Sequence, residues 1–375
     1  MNKIKILHYI PGFHTGGIES VFLSWYKNIN KEEVNFELLV RSFDSESPML
    51  KEYLEMGGVL HTLQTPSLNP KTMLTFRKQV QTFFKEHHTY DFLHVHVADD
   101  PFVIPAAQKI GIKNIGIHAH TTGYNESYKS QDLKGMIRKS NIKRAKYYFA
   151  CSQEAADWMF PIEIRKKKQV HIIHNGIDAK SYEFNEETRG QYRKQLNLKN
   201  QFTLIHVGRF SEVKNHPFML EIFQKVKVKH PNSKMIFIGN GPLFETIEHK
   251  IEELRLKDDI LLLGARGDVA KIVQAADVFL LPSQFEGLGI AAIEAQAACL
   301  PTFVSDRVPQ DVAITDLVHF LSLEIPVEEW ADQILEHIHD EKRKSTYEQI
   351  KEAHYDIQQT TQDLILEYKN MIDKE

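Results

Sequence analysis

In the stretch Ser283-Gln284-Phe285-Glu286-Gly287-Leu288-Gly289-Ile290-Ala291-Ala292-Ile293-Glu294, two acids stand with seven residues between them. Glu286 sits in a glycine-containing loop after the apolar run 278–281. Glu294 falls about two turns into a helix expected to start near Leu288, because eight residues advance a helix by roughly 2.2 turns. When ionised, both side chains only accept hydrogen bonds, which suits hydroxyl groups. The amides of Gly287, Leu288, Gly289 and Ile290 lie at that helix N-terminus, where free N–H groups and the helix dipole favour an anion. The constellation reads as a site for a phosphate-bearing sugar.

Two cations extend it. Gly208-Arg209-Phe210-Ser211 and Lys214-Asn215 follow the apolar run 202–207. At a strand end, Arg209 and Lys214 can hold a diphosphate and offset charge on a leaving group. His118 and His120 flank Ala119 after another apolar run. In extended chain their imidazoles point the same way, toward a sugar or phosphate contact or a proton-transfer role. For a metal site His94, His96 or Asp99 would have to join them, and no spacing signature links these residues. Gly16-Gly17-Ile18-Glu19 opens a helix, where glycines let backbone approach a phosphate or sugar. It lacks the glycine spacing of a dinucleotide-binding loop, which disfavours an NAD-dependent dehydrogenase. Gly239-Asn240-Gly241-Pro242 is a turn that leaves space for a nucleotide, and the Asn175-Gly176 pair marks a structural turn.

These residues need a scaffold, and the periodicity names one. Short apolar runs alternate with longer amphipathic segments: strands at 4–10, 34–40, 92–97, 114–118, 147–150 and 170–173, with helices at 18–28, 49–55 and 71–86. The pattern restarts after the charged stretch 181–200. Strands are expected at 202–207, 235–238, 260–263, 278–281 and 302–304, a helix at 217–228, and a helical tail over 342–374. Such alternation of buried strands and helices means parallel sheets covered on both faces. The fold class is therefore α/β, two doubly wound Rossmann-like domains whose ligands bind beyond the C-terminal ends of the strands. The expected division is 1–185, 186–350 and a terminal helix 351–375, with a hinge near 180–200. If the two domains face each other, their loops line one central cleft.

At 375 residues two domains are the prior, and 42% hydrophobic with 26% charged residues is ordinary for a globular protein. A formal charge of −4 argues against a nucleic-acid binder. Cys151 and Cys299 form neither a disulfide framework nor a metal-ligand pattern and suit a reducing compartment. The N-terminal apolar run is too short for a signal peptide, and no run approaches the ~18 apolar residues of a transmembrane helix. A cytoplasmic protein is expected, at most peripheral at the inner face of the plasma membrane. Residues 129–168 hold eleven Lys and Arg against four acids, a local net charge of +7. Such a face attracts anionic lipid head groups or a phosphorylated acceptor, with an ordinary solvated helix face as the alternative.

Taken in order, these pieces resemble the retaining glycosyltransferases of family 4, with the two-domain GT-B fold, and most of all the bacterial enzymes of capsule and exopolysaccharide synthesis. The resemblance runs over nearly the whole chain: Gly16 to Glu19, the His118 loop, His174 to Asp178, Gly208-Arg209 with Lys214-Asn215, Gly239 to Pro242, Gly264 to Asp268, and the paired glutamates. It implies that Arg209 and Lys214 bind the donor diphosphate, Glu294 the ribose and Glu286 the transferred sugar. Amides from Gly287 to Ile290 would contact sugar and phosphates. Gly16 and Gly17 would lie against the distal phosphate or acceptor, and His118 beside the donor sugar, with His120 the second candidate. Gly208 and Gly241 would line the nucleotide, and the loop carrying Arg266 would lie near the base. The implied donor is a nucleoside-diphosphate sugar, a UDP-sugar foremost, and the acceptor a hydroxyl of a lipid-linked glycan. No metal and no separate cofactor are implied. The terminal helix would cross back to the first domain. One departure is Cys299, where similar enzymes often carry glycine, and a local distortion of that helix end is expected. Two rivals share the architecture: a sugar-nucleotide epimerase, and a partner subunit that keeps the fold without the chemistry. The intact Arg209, Lys214, Glu286 and Glu294 argue against both.

Overall fold

The computed structural model describes residues 3–14, 17–65, 71–120, 133–167, 169–338 and 343–373. It divides into two compact units, residues 1–176 with 357–375, and residues 177–356.

In the first unit the strands are β1 (Ile4–Tyr9), β2 (Gly12–Phe13), β3 (Val34–Val40), β4 (Ser42–Phe43), β5 (Val59–Thr62), β6 (Phe92–Val95), β7 (Ile115–Ala119), β8 (Tyr147–Ala150) and β9 (Val170–Ile172). Seven of them form a parallel sheet in the order β5-β3-β1-β6-β7-β8-β9, and β2 pairs with β4 alongside. Alternate residues feed two cores. Leu7, Leu93, Val95, Ile115 and Ile117 pack under the helices Met73–Glu86 and Val103–Lys109. On the other face Ile6, Phe36, Leu38, Phe92 and Phe149 meet the helices Gly17–Asn28 and Ile357–Ile372. Burial on both faces is why the central strands read as apolar runs rather than as an alternation.

The second unit contains β10 (Phe202–Val207), β11 (Ser233–Ile238), β12 (Ile260–Leu262), β13 (Val278–Leu281), β14 (Thr302–Ser305) and β15 (Val318–Leu321). They form a parallel sheet in the order β12-β11-β10-β13-β14-β15. Ile205, Ile236 and Phe279 face the helices Glu186–Gln195 and Ile290–Ala297. Leu204, Phe237 and Leu280 face His216–Lys229 and Val327–Leu335. Both units are thus doubly wound, as the pattern requires.

The division falls at 176/177 and 356/357, where the sequence places it at 185/186 and 350/351. The charged stretch 181–200 carries the helix Glu186–Gln195 and belongs to the second unit rather than forming a hinge. Tyr182 and Tyr192 enter that unit's core, and Arg189 pairs with Asp277 at 2.5 Å. Charge marks its solvent face, and the few apolar residues do the anchoring. The tail is two helices, Tyr347–Glu352 and Ile357–Ile372, instead of one. Between them His354 takes a left-handed backbone, φ 59°, and the amide of Tyr355 donates to the Ile350 carbonyl as a helix end does. Strands β5 and β15 are absent from the sequence reading. Both lie at sheet edges, where half-exposed residues such as His61 and His319 interrupt the apolar run.

The helix Ile357–Ile372 belongs to the first unit. Leu364, Tyr368 and Met371 enter its core, the Tyr147 hydroxyl donates to the Met371 carbonyl, and Lys369 pairs with Glu33 at 2.6 Å. The hydroxyl of Tyr368 meets His94 Nδ1 at 2.6 Å with both groups buried. Tyr368→Phe leaves that ring nitrogen without a partner and is expected to cost about 1–2 kcal/mol of stability. Chemical denaturation measures this, and an unchanged midpoint and slope would show that the bond contributes nothing.

Candidate active site

Strands β10 and β13 are neighbours, and the order of connection reverses between them: β10 leads outward to β11 and β12, β13 to β14 and β15. Crevices at such a reversal are where open parallel sheets bind ligands. The loops that leave the C-terminal ends of these two strands carry Gly208, Arg209 and Lys214 on one side, and Ser283, Glu286 and Gly289 on the other.

The loops are joined by side chains. Lys214 Nζ donates to Glu286 Oε1 at 2.5 Å, and Ser283 Oγ donates to the same oxygen at 2.6 Å. Both partners are largely enclosed, with 19% of the Lys214 side chain and 9% of the Glu286 side chain exposed. Backbone ties reinforce them: the Gln284 amide donates to the Val213 carbonyl, and the Asn215 side chain to the Pro282 carbonyl. Asn215 sits in the left-handed region at φ 58° and turns the chain into the helix His216–Lys229. With Oε1 taken twice, Oε2 of Glu286 is the oxygen left to accept from a ligand hydroxyl. Arg209 is exposed, and among the described residues its guanidinium has no partner.

Glycine at 208 has a steric cause. His206 is buried beneath it, and its Nδ1–H donates to the Leu280 carbonyl at 2.8 Å. A Cβ on Gly208 would come within 2.7 Å of His206 Nε2. The next loop closes over this one. The amides of Gly208 and Phe210 donate to the carbonyls of Ile238 and Asn240, and the Gly239 amide to the Gly264 carbonyl. Gly239 has φ +140°, and a Cβ there would lie 1.9 Å from the Gly208 carbonyl oxygen. On Gly241 it would lie 2.4 Å from the Phe210 carbonyl oxygen. The three loops after β10, β11 and β12 therefore form one hydrogen-bonded shelf that admits no side chain at these positions. Arg266 on the last loop is held by Asp268 through two bonds of 2.8 Å, so its charge is already matched.

The helix after β13 runs over Ile290–Ala297 instead of starting at Leu288. Gly289 occupies the left-handed region at φ +92° and redirects the chain there, while Leu288 is buried in the core. Gly287 is unencumbered, and a Cβ on Gly289 would touch Glu286 Cγ at 3.8 Å. Glu294 is the fifth residue of the helix, little more than one turn in. Burial pushes its carboxyl up to about 7, and a hydrogen bond from Tyr182 pulls the other way. At the far end of this helix Cys299 takes φ 58°. The amides of Cys299 and Leu300 donate to the carbonyls of Gln296 and Ala295, the usual glycine-type ending. The expected distortion is not present; the cysteine carries about 1–2 kcal/mol of left-handed backbone cost instead.

In the first unit β7 runs through His118, so this residue lies inside the strand, fully buried against Trp25 and Phe149. His120 follows the strand end and is partly exposed, which makes it the one of the two that stands at the sheet's C-terminal edge. His8, His94 and His96 share this face. His8 Nδ1 meets His96 Nε2 at 3.0 Å, His96 Nδ1 meets His120 Nε2 at 2.7 Å, and His94 Nε2 meets His118 Nδ1 at 3.1 Å. Burial lowers the pKa of His8 and of His120 to about 3, so both rings are neutral. Among the described residues no group of three or more His, Cys, Asp or Glu is arranged to hold a metal ion. Gly17 begins the helix Gly17–Asn28, and a Cβ there would meet nothing within 4 Å. Gly16, and residues 129–132 and 168 of the basic segment, lie outside the described residues.

Ser283 and Tyr182 were not legible as site residues. Ser283 stands three positions before Glu286, a local spacing that signals a side-chain bond in a turn. Tyr182 is remote from Glu294 in sequence, and no pattern links them.

Comparison with known proteins names the class. Residues 15–181 match the model for "Glycosyltransferase Family 4", and residues 188–356 that for "Glycosyl transferases group 1". The chain belongs to the family-4-type glycosyltransferases with the GT-B fold. It is 29% identical over 378 aligned residues to the putative glycosyltransferase EpsF of Bacillus subtilis, covering 99% of this chain and 98% of that protein. It is 25% identical to the UDP-Gal:alpha-D-GlcNAc-diphosphoundecaprenol alpha-1,3-galactosyltransferase of Escherichia coli, over 81% of this chain and 80% of that one. The fold matches Anabaena HepE in complex with UDP at a TM-score of 0.77 and 17% identity, over 98% of this chain and 100% of that one.

Proposed function

We propose that the protein is a retaining, metal-independent hexosyltransferase. It moves a hexose or N-acetylhexosamine from a UDP-sugar to a hydroxyl of a lipid-linked glycan, as capsule or exopolysaccharide assembly requires. The joined Lys214, Ser283 and Glu286 at the sheet's reversal point are the observation that carries this reading. Lys214 and the unpartnered Arg209 take the diphosphate and stabilise the charge that grows as it leaves. Glu286 accepts from the transferred sugar through Oε2, and Glu294 accepts from the ribose. The amides of Gly287 to Ile290 meet sugar and phosphate oxygens at the helix N-terminus. Gly208, Gly241 and the loop of Arg266 lie along the nucleotide. In the first unit, Gly16, Gly17 and His120 serve substrate contact, and His118 acts behind His120 rather than on the substrate.

UDP in the HepE complex and the UDP-Gal and diphosphoundecaprenol in the E. coli relative's name support the choice of donor and acceptor classes. Among the described residues no helix is long and apolar enough to cross a membrane. The helix Leu133–Arg144 exposes Leu133 and Met136 beside Lys134, Arg138 and Lys139, which supports peripheral contact with an anionic inner-leaflet surface.

Thermal-shift titration with UDP-, GDP- and ADP-sugars tests the reading, because a ligand at about 100 times its Kd stabilises the folded state by about 2.7 kcal/mol. A UDP-sugar is expected to raise Tm with or without chelator, and Arg209→Ala to abolish the rise. No rise with any donor, or one that chelator removes, defeats the assignment.

A further inference from the structure

The sheet of the first unit has its own reversal point: β1 leads outward to β3 and β5, and β6 to β7, β8 and β9. Arg41 follows β3 at the C-terminal edge of that sheet, the edge where open parallel sheets take ligands. Its backbone is tied down, since the amides of Arg41 and Ser42 donate to the Pro11 carbonyl at 3.0 and 3.2 Å. The side chain is half-buried. Its guanidinium carbon stands 5.8 Å from the centre of the Phe76 ring, within reach of a cation–π contact. Its charge acts on Tyr9 at the end of β1 and on Asp100 beyond β6, the two strands that flank the reversal.

This charge is not matched within the protein. A guanidinium carries five N–H donors and stays ionised. Nε of Arg41 is enclosed without a partner, and among the described residues no group accepts from the guanidinium. Nη1 and Nη2 are not enclosed in this way, so they are the accessible donors. Asp100 is committed elsewhere: its Oδ2 accepts from the Tyr9 hydroxyl at 2.6 Å, and its Oδ1 from the amides of Phe102 and Val103 at 3.0 and 3.2 Å. Other half-buried arginines are paired, as Arg189 and Arg193 are with Asp277. Removing a guanidinium from water without a counter-ion is unfavourable. One that keeps its outer nitrogens accessible matches the planar, two-oxygen edge of a phosphoryl or carboxylate group.

We propose that Arg41 holds an anionic group of the acceptor, a phosphoryl group of its lipid link or a carboxylate of an acidic sugar, through Nη1 and Nη2. The proposal rests on the reading of the acceptor as a lipid-linked glycan, and it concerns the first unit alone. Phe76 and the Pro11 tie hold the side chain in place before the anion arrives, and the buried Nε takes no part in the contact.

The test fills the donor site with saturating UDP, so that Arg209 and Lys214 do not compete for the probes. Isopentenyl diphosphate, a water-soluble stub of a polyprenyl diphosphate, and glucuronate are then titrated by ligand-observed NMR, with glucose as the neutral control. At least one anionic probe is expected to bind. Arg41→Gln should weaken it about 10- to 100-fold, the loss of a charge-assisted pair of hydrogen bonds, and Arg41→Lys, which keeps the charge without the fork, should fall between. UDP affinity and the Tm of the ligand-free Arg41→Gln protein should not fall, because the arginine has no internal partner to lose. Dependence on Arg41 confined to isopentenyl diphosphate assigns the anion to the lipid link, and dependence confined to glucuronate assigns it to an acidic sugar. Failure of both probes to bind the unaltered UDP-saturated protein overturns the proposal even if the variants do not fold, and binding that Arg41→Gln leaves unchanged overturns it as well. If UDP itself does not bind, the donor assignment fails separately, and the effect of Arg41→Gln on the probes is read without it.

Discussion

Lys214→Met lowers kcat by about two to three orders of magnitude, the usual effect of removing one group that stabilises charge in the transition state. The argument starts from its present partner. The ammonium and the Ser283 hydroxyl both point at Glu286 Oε1, so this one cation orients the acid and faces the site where the diphosphate is assigned. Methionine keeps the length of the stem and removes only the charge. If Lys214 acts on charge that develops as the bond to the diphosphate breaks, kcat falls while donor affinity changes little; if it mainly holds the ground state, Kd rises instead. Steady-state rates with calorimetric donor titration separate these outcomes. A Lys214→Met enzyme with undiminished kcat would remove the lysine from the mechanism. The variant also leaves Glu286 largely enclosed with Ser283 alone, so some loss of Tm accompanies it.

Glu294→Gln should make the protein more stable and bind its donor less well. The carboxyl has a folded-state pKa of about 7 against an ordinary 4.5, with burial the main cause. A raised carboxyl pKa means that folding is favoured while the group is protonated. That contribution is complete below about 4.5 and is lost as pH rises through about 7. At pH 8 the folded chain carries a largely enclosed carboxylate at a cost of up to about 3 kcal/mol, which glutamine avoids. The variant's Tm should therefore exceed the parent's clearly at pH 8 and much less at pH 5. Donor affinity should move the other way, falling about 10- to 100-fold at pH 8, since two ribose hydroxyls lose an ionised acceptor. Parent affinity should itself weaken below pH 7, and that of the variant should stay flat. Equal affinities at pH 8 would exclude the ribose role; a Tm gain at pH 5 as large as at pH 8 would exclude the ionisation argument. Stability given up at a functional group in this way is a common feature of binding sites.

Much of this was legible in the chain. The runs Tyr147 to Ala150, Phe202 to Val207 and Val278 to Leu281 are strands with those ends, because a strand buried on both faces must be apolar throughout. The glycines at 208, 239 and 241 also stood out, since the close approach of neighbouring loops admits no side chain there, and so did the acids at 286 and 294, by their spacing after a strand. Of the edge strands of the two large sheets, β9 and β12 were read as apolar runs, whereas β5 and β15 were missed, their half-exposed histidines interrupting the run. The stretch 181–200 misled because its charge is counted in sequence, whereas the few contacts that bind it to the second unit, Tyr182, Tyr192 and Arg189 on Asp277, are made across the fold.

Sequence by itself determined the doubly wound α/β class and the residue types of the phosphate and hydroxyl contacts, since periodicity and side-chain chemistry are local properties. Only the tertiary structure decided which groups are neutral, paired or free. Lys214 meets Glu286 from 72 positions away, Tyr182 meets Glu294, and His8 reaches His120 through His96. It also decided the burial of two histidines two positions apart. His118 is enclosed within β7 and His120 stands beyond its end, a difference of burial that arises when β7 takes its place between β6 and β8.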